Sequence, residues 1–150
     1  MIECRPITKE DLPEIALLEK ECFSEPWSET ALQSLLPEEE NGQGGICAFE
    51  NGVFGGYIGF LFSPPEGEVI NLAVKSAFRR RGIAKCLLGA LEQKARESAV
   101  NTLFLEVRES NLAARKCYEK AGFSEIGKRK GFYAFPRENA VLYRKNLNEI

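Results

Sequence analysis

Arg79-Arg80-Arg81-Gly82-Ile83-Ala84 stands where one hydrophobic period gives way to another. Before it, Val69-Ile70-Asn71-Leu72-Ala73-Val74 alternates, which predicts a strand with Ile70, Leu72 and Val74 on one face and Val69, Asn71 and Ala73 on the other. After it, Ile83, Leu87, Leu91 and Ala95, with Ala84 and Leu88 beside them, form an apolar stripe at helical spacing through Arg96. The first N–H groups of a helix lack partners and carry partial positive charge, so such a junction suits an anion. Gly82 removes a side chain that would block the approach, and the arginines add charge, as a pyrophosphate cradle requires. The Gly-Lys-Ser/Thr ending of a P-loop and the three-glycine dinucleotide fingerprint are both absent. Taken alone, the run fits a solvated basic face about as well.

Two further residues could move protons. Glu106 lies in Thr102–Arg108, where Leu103, Leu105 and Val107 alternate with Phe104 and Glu106. It is either a base or a half-exposed strand carboxylate paired with Arg108 or a lysine. Tyr118 shares the inward face of a helix with Ala114, Cys117 and Ala121, which by itself describes a core tyrosine whose hydroxyl needs a partner. The chain contains no histidine, which excludes Ser-His-Asp and Cys-His catalysis and histidine-bearing zinc sites. Proton transfer must then use Glu, Asp, Tyr, Lys, Cys or water. The five cysteines are odd in number, dispersed and never spaced C-x-x-C, so they read as reduced core residues, with no metal site.

The elements that must position these residues follow in order. Ile2–Pro6 predicts a strand, and Thr8-Lys9-Glu10-Asp11 opens a helix carrying Leu12, Ile15, Ala16, Cys22 and Phe23. Pro26 breaks the chain, Ser28 caps a short helix through Leu36, and Trp27 between them either plugs the core edge or lines a groove. Residues 37–42 form an acidic loop, solvated or a dock for a basic substrate. Asn51-Gly52 predicts a tight hairpin between 45–50 and 53–62, whose Gly55, Gly56 and Gly59 imply close approach of backbone or ligand. A helix links the Val69 and Thr102 strands, so they should run parallel through a right-handed crossover. Asn111 can cap the next helix, Gly122 ends it, and residues 123–133 and 140–147 predict a last antiparallel pair.

The Arg-x-x-Gly-x-Ala element after a Leu-Ala-Val strand resembles the acetyl-CoA signature of the GNAT superfamily of N-acetyltransferases. Leu105-Glu106-Val107-Arg108, then Asn111, Ala113 and Ala114, then Tyr118-Glu119-Lys120-Ala121-Gly122-Phe123, with Pro26-Trp27-Ser28, resemble its RimI-type branch. That branch acetylates the N-terminal alanine of a small-subunit ribosomal protein, protein eighteen of that subunit. The resemblance implies an α/β fold of GNAT type, a mixed, mostly antiparallel sheet of about seven strands splayed at a parallel pair and flanked by four helices. It implies acetyl-CoA as cofactor, with Leu72, Ala73 and Val74 offering main-chain groups to its pantetheine arm. Arg80, Arg81, Gly82, Ile83, Ala84 and Lys85 would hold its pyrophosphate, and Asn111 would also touch it. Glu106 would be the proton acceptor and Tyr118 the acid that protonates the departing thiolate. The turn 134–140 looks shorter than usual for the branch, with Asn139 where Asp is common.

Deprotonating an α-amino group at neutral pH costs about 1 kcal/mol and a lysine about 4.5, so one modest base suffices for an N-terminus. A lysine or small-amine acetyltransferase and a non-catalytic acyl-CoA-binding module remain alternatives. At 150 residues, 44% hydrophobic and 28% charged, the chain reads as one domain. No apolar run is long enough for a membrane span and no signal-peptide pattern opens the sequence, which leads to the expectation of a cytoplasmic protein. A net charge of -2 argues against nucleic acid as a partner.

Overall fold

Asn51 and Gly52 take positive φ angles of 52° and 82°, closing a two-residue hairpin as Asn-Gly pairs do. In the computed structural model, which describes residues 1–148, this hairpin joins β2 (Gln43–Glu50) to β3 (Val53–Ser63). Ahead of it come β1 (Ile2–Pro6), α1 (Leu12–Cys22) and α2 (Glu29–Leu32). After it come β4 (Glu66–Val74), α3 (Ile83–Glu97), β5 (Thr102–Arg108), α4 (Leu112–Lys120), β6 (Ser124–Ala134) and β7 (Arg137–Asn146). The strands form one sheet in the order β1-β2-β3-β4-β5-β7-β6, antiparallel except for β4 and β5. This is the mixed seven-stranded sheet with one parallel pair and four helices that the sequence leads one to expect.

Two boundaries differ from expectation. The helix expected from Ser28 to Leu36 is α2 followed by a 3-10 turn ending at Leu35, because Leu36 is already extended, as a residue before proline tends to be. The last hairpin turns on Phe135 and Pro136 alone, so Arg137, Glu138 and Asn139 belong to a strand rather than to a loop. Residues 37–42 are all exposed, in keeping with a solvated loop.

Each face of the sheet carries its own core. On one, Ile83, Leu87 and Leu91 of α3 and Tyr118 of α4 pack on Ile58, Leu103, Leu105, Val141 and Tyr143. On the other, Leu12, Ile15 and Leu18 of α1 with Leu32 and Leu35 pack on Cys47, Phe54, Tyr57 and Ala73. The five cysteines are free, and only Cys47 is fully buried. Among the described residues no helix is long and apolar enough to cross a membrane.

The strict alternation expected for β4 fails at one point. Gly59 faces Asn71 but Phe60 faces Val69, so Ile70 is an extra residue in a bulge. The bulge shifts the pleat by one. Val69 therefore joins Leu72 and Val74 on the α3 face, while Ile70 joins Ala73 on the α1 face. Parallel pairing of β4 with β5 runs from Glu66–Thr102 to Val69–Leu105 and stops at this bulge.

The glycines of β3 mark close approach, as expected. A Cβ at Gly56 would lie 2.5 Å from the Ala73 carbonyl oxygen and 3.1 Å from the Val74 Cα, both backbone atoms that cannot swing aside. Gly56→Ala should therefore lower stability by about 1–3 kcal/mol, as overpacking does. The midpoint of urea unfolding checks this, and an unchanged midpoint would mean that β3 and β4 are free to part.

Candidate active site

Past the bulge, the cleft between β4 and β5 opens to about 330 Å³, bounded by Ile70, Asn71 and Leu72 on one side and Glu106, Val107 and Arg108 on the other. Asn111, Ala114 and Tyr118 close one end, while Phe23, Trp27 and Tyr133 close the other. Trp27 satisfies both readings of its loop, since it packs on the α1-side core and also lines this cleft. With β5 turned away, the β4 main-chain groups facing the cleft have no partner strand.

Glu106 alternates with the core residues Leu105 and Val107, so its carboxylate lies on the α1 face of the sheet, a quarter exposed. Its ion-pair partner is Arg129 at 3.7 Å, not Arg108. Burial, with the Glu106 charge as the second cause, pushes the pKa of the neighbouring Tyr133 up. Tyr118 approaches from the other face. Its ring packs edge-on against Phe123 with centroids 5.8 Å apart, and the residue is 6% exposed. Burial, then the charges of Cys117 and Tyr133, push its pKa well above the usual phenol range. Among the described residues no hydrogen-bond partner meets its hydroxyl. A carboxylate and a protonated phenol thus border one cleft, and between them they can accept one proton and donate another.

The start of α3 has the local geometry of an open helix N-terminus. Gly82 has φ 94°, no side chain caps the helix, and the first turn contains no acid. The Cys86 N–H is already bonded to the Gly82 carbonyl at 3.0 Å, which leaves the N–H groups of Ile83, Ala84 and Lys85 without helical partners. Ile83 is 1% exposed, so it can offer only its main chain. Arg80, Arg81 and Lys85 are exposed around this point, and Arg81 also pairs with Glu50 at 3.2 Å. Arg79 differs from them, because its Nε donates to the Val74 carbonyl at 3.3 Å and closes the junction instead. Three open N–H groups, flanking cations and an unpaired strand edge fit a diphosphate with an extended amide-bearing arm.

The remaining expected residues divide by orientation. Leu72 lines the cleft. Ala73, 3% exposed, points into the α1-side core, and Val74 packs against the α3-side core, so for these two only the main chain is available. Asn111 caps α4, its Oδ1 accepting from the Ala114 N–H at 3.2 Å, and its amide nitrogen is free to donate to a ligand.

Sequence reasoning missed the burial of Glu19 and the partners of Arg108 and Asn139. Glu19, in the apolar stripe of α1, is fully buried. Arg108 donates to the carbonyls of Phe135 and Pro136 at 2.9 and 2.8 Å and to Ser24 Oγ at 3.1 Å, and it stacks on Tyr133. Asn139 accepts from the Gly131 N–H at 2.9 Å and donates to Glu109 at 3.3 Å, a double role that an aspartate could not fill. The signal for Glu19 was present as an acid one turn after Ile15. For the other two, the partners are remote in sequence.

Residues 12–123 match the model of the family described as Acetyltransferase (GNAT) family. The [ribosomal protein bS18]-alanine N-acetyltransferase of Escherichia coli K12 is 33% identical over 134 residues, covering 88% of each chain. The protein of the same name from Haemophilus ducreyi is 46% identical over 80 residues, 51% of this chain and 55% of its own. The chain thus spans about half the length of the Haemophilus relatives it matches. The crystal structure of the ribosomal-protein-S18-alanine N-acetyltransferase from E. coli superposes with a TM-score of 0.86 at 28% identity, over 100% of this chain and 96% of that one. Arabidopsis thaliana NAA60 in complex with acetyl-CoA shares the fold, with a TM-score of 0.87 at 18% identity over 99% of this chain and 100% of its own.

Arg108 ties the β6–β7 turn to the loop after α1. Arg108→Ala should lower stability by roughly 1–3 kcal/mol, because it takes the guanidinium donor from the Pro136 carbonyl and one of two donors each from Glu138 and the Phe135 carbonyl. It should also speed tryptic cleavage after Arg137, the first residue of β7 beside the released turn. Unchanged cleavage there would show that the turn is held by its strands alone.

Proposed function

The chain belongs to the acetyltransferase (GNAT) family, and from that membership we propose that it transfers an acetyl group from acetyl-CoA to the N-terminal alanine of ribosomal protein bS18. The observation that carries this reading is a carboxylate and a neutral phenol, Glu106 and Tyr118, bordering one cleft along the strand that leads to the open start of α3. The E. coli relative, matched over 88% of both chains and named for that activity, supports the choice of acceptor. We read the chain as one catalytic domain acting in the bacterial cytoplasm, where ribosomal proteins are made. The scheme uses no metal ion.

When bound, acetyl-CoA supplies an activated acetyl thioester. The N–H groups of Ile83, Ala84 and Lys85, with Arg80 and Arg81 beside them, hold the pyrophosphate. The cleft-facing edge of Leu72–Val74 would bond the amide arm, and the Asn111 amide nitrogen would add a donor from the start of α4. Glu106, on the α1 face, takes the proton from the arriving α-ammonium, whose loss of that proton at neutral pH is uphill by about one pKa unit. Tyr118 keeps its proton because burial disfavours phenolate, and it delivers that proton to the leaving sulfur. Amine attack and thiolate departure need no covalent enzyme intermediate.

CoA release in the presence of a peptide starting with the alanine of the host bS18, compared with an N-terminally blocked peptide carrying an internal lysine, tests the acceptor. Turnover is expected only with the first. Turnover only with the second would reassign the chain to side-chain acetylation, and binding of acetyl-CoA without turnover of either would remove the bS18 reading. Glu106→Gln should lower kcat by about 10²–10⁴-fold. The deficit should be deepest at low pH, because without a base only amine already neutral, with an ordinary pKa near 8, can react. Its acetyl-CoA affinity should hold. Arg81→Ala should instead weaken acetyl-CoA binding several-fold at unchanged saturating kcat, and equal loss of affinity in both variants would dissolve this division of roles.

A further inference from the structure

Glu19 is 0% exposed, on the inner face of α1 with the core residues Leu12, Ile15 and Leu18. An apolar residue would serve that stripe at lower cost, since a buried carboxylate must recover its hydration from donors. Among the described residues no cation pairs with it. Three neutral donors meet it instead. The Trp27 main-chain N–H donates to Oε1 at 2.9 Å, the Tyr57 hydroxyl to Oε2 at 2.6 Å, and the Asn71 side-chain amide to Oε2 at 3.2 Å. Burial and the Glu19 charge push the Tyr57 pKa far above the phenol range, so that hydroxyl stays a donor.

The donors come from three elements. Tyr57 belongs to β3, Asn71 follows Ile70 in the β4 bulge, and Trp27 belongs to the loop that closes the cleft. Trp27, Asn71 and Glu106 all lie on the α1 face, whereas α3 and Tyr118 pack on the opposite face. The gap between β4 and β5 therefore joins two half-sites, and Glu19 braces the one that does not include the start of α3.

We propose that Glu19 is a positioning residue for the acceptor: by bonding Trp27 and Asn71 to one rigid carboxylate, it fixes the loop against the bulge and sets the width of the acceptor entrance. This rests on the acetyl-transfer reading for its kinetic consequence, but the geometry itself can be read without turnover, because Trp27 is the only tryptophan in the chain.

Glu19→Gln keeps the shape while replacing one acceptor oxygen with an NH₂ that faces other donors. In the free protein, its Trp27 emission should shift to the red and quench more readily with iodide. With the alanine-starting bS18 peptide KM should rise roughly tenfold, the size of one lost hydrogen bond to a charged group, while KM for acetyl-CoA stays within about twofold. Tyr57→Phe serves as the comparison. It removes a donor from the same carboxylate but leaves the Trp27 and Asn71 bonds, so it should lower the thermal midpoint without moving Trp27 emission or the peptide KM. Unchanged Trp27 emission and quenching in Glu19→Gln, or an acetyl-CoA KM rising as much as the peptide KM, would overturn the proposal. Should Glu19→Gln not fold, Asn71→Ala, which removes one arm of the brace, must show the same fluorescence change. If the wild-type chain turns over no alanine peptide, the acceptor reading fails while the fluorescence still decides the role of Glu19.

Discussion

The hydrogen bonds that β4 and β5 do not make govern the rest of the molecule. Their parallel ladder stops at Val69 and Leu105, at the bulge where Ile70 has no counterpart on β3. A sheet tolerates such a loss only where something else can meet the exposed backbone groups. Here the unpaired edge opens onto a cleft that reaches both faces, with Glu106 on the α1 face and Tyr118 on the α3–α4 face. The start of α3 follows β4 through residues 75–82, so the open helix end stands beyond the C-terminal end of that same strand. A bulge of one residue thus separates a regular half of the sheet from a binding half.

The charged groups around the cleft are arranged by desolvation. Tyr118 is buried deeply enough to stay neutral, Glu106 keeps partial contact with water and a distant arginine, and Glu19 is removed from solvent altogether but surrounded by donors. Arg108 and Glu19 hold opposite ends of the loop after α1, one through Ser24 and one through Trp27. That loop contains no regular hydrogen-bonded structure from Ser24 to Trp27, so its position depends on these two side chains. The β6–β7 turn depends on Arg108 in the same way, with Asn139 adding a second tie to Glu109. Both borders of the proposed acceptor side are therefore fixed by side chains whose own elements lie in the rigid core.

The sequence by itself determined the elements and the start of α3. Period-two and period-3.6 patterns, an Asn-Gly turn, Asn111 as a cap and Gly122 as a stop act within a few residues, so β1, β5, α3 and the first hairpin stand close to where the pattern puts them. Gly82 could be singled out for the same reason, since a positive φ and an uncapped helix start are local properties. Tertiary structure decided what depended on residues far apart in the chain. The bulge at Ile70 arises from the register with β3, and it exchanged the faces of Val69 and Ile70 against strict alternation. Arg108 chose the distant Glu138 and the carbonyls of the last turn over the nearby Glu106, while Glu106 chose Arg129. Glu19 looked like one more acid in a helix until Tyr57 and Asn71, 38 and 52 residues away, were seen to donate to it. Local rules carry no information about such pairs, because only packing fixes which surfaces meet and which polar groups lose water together.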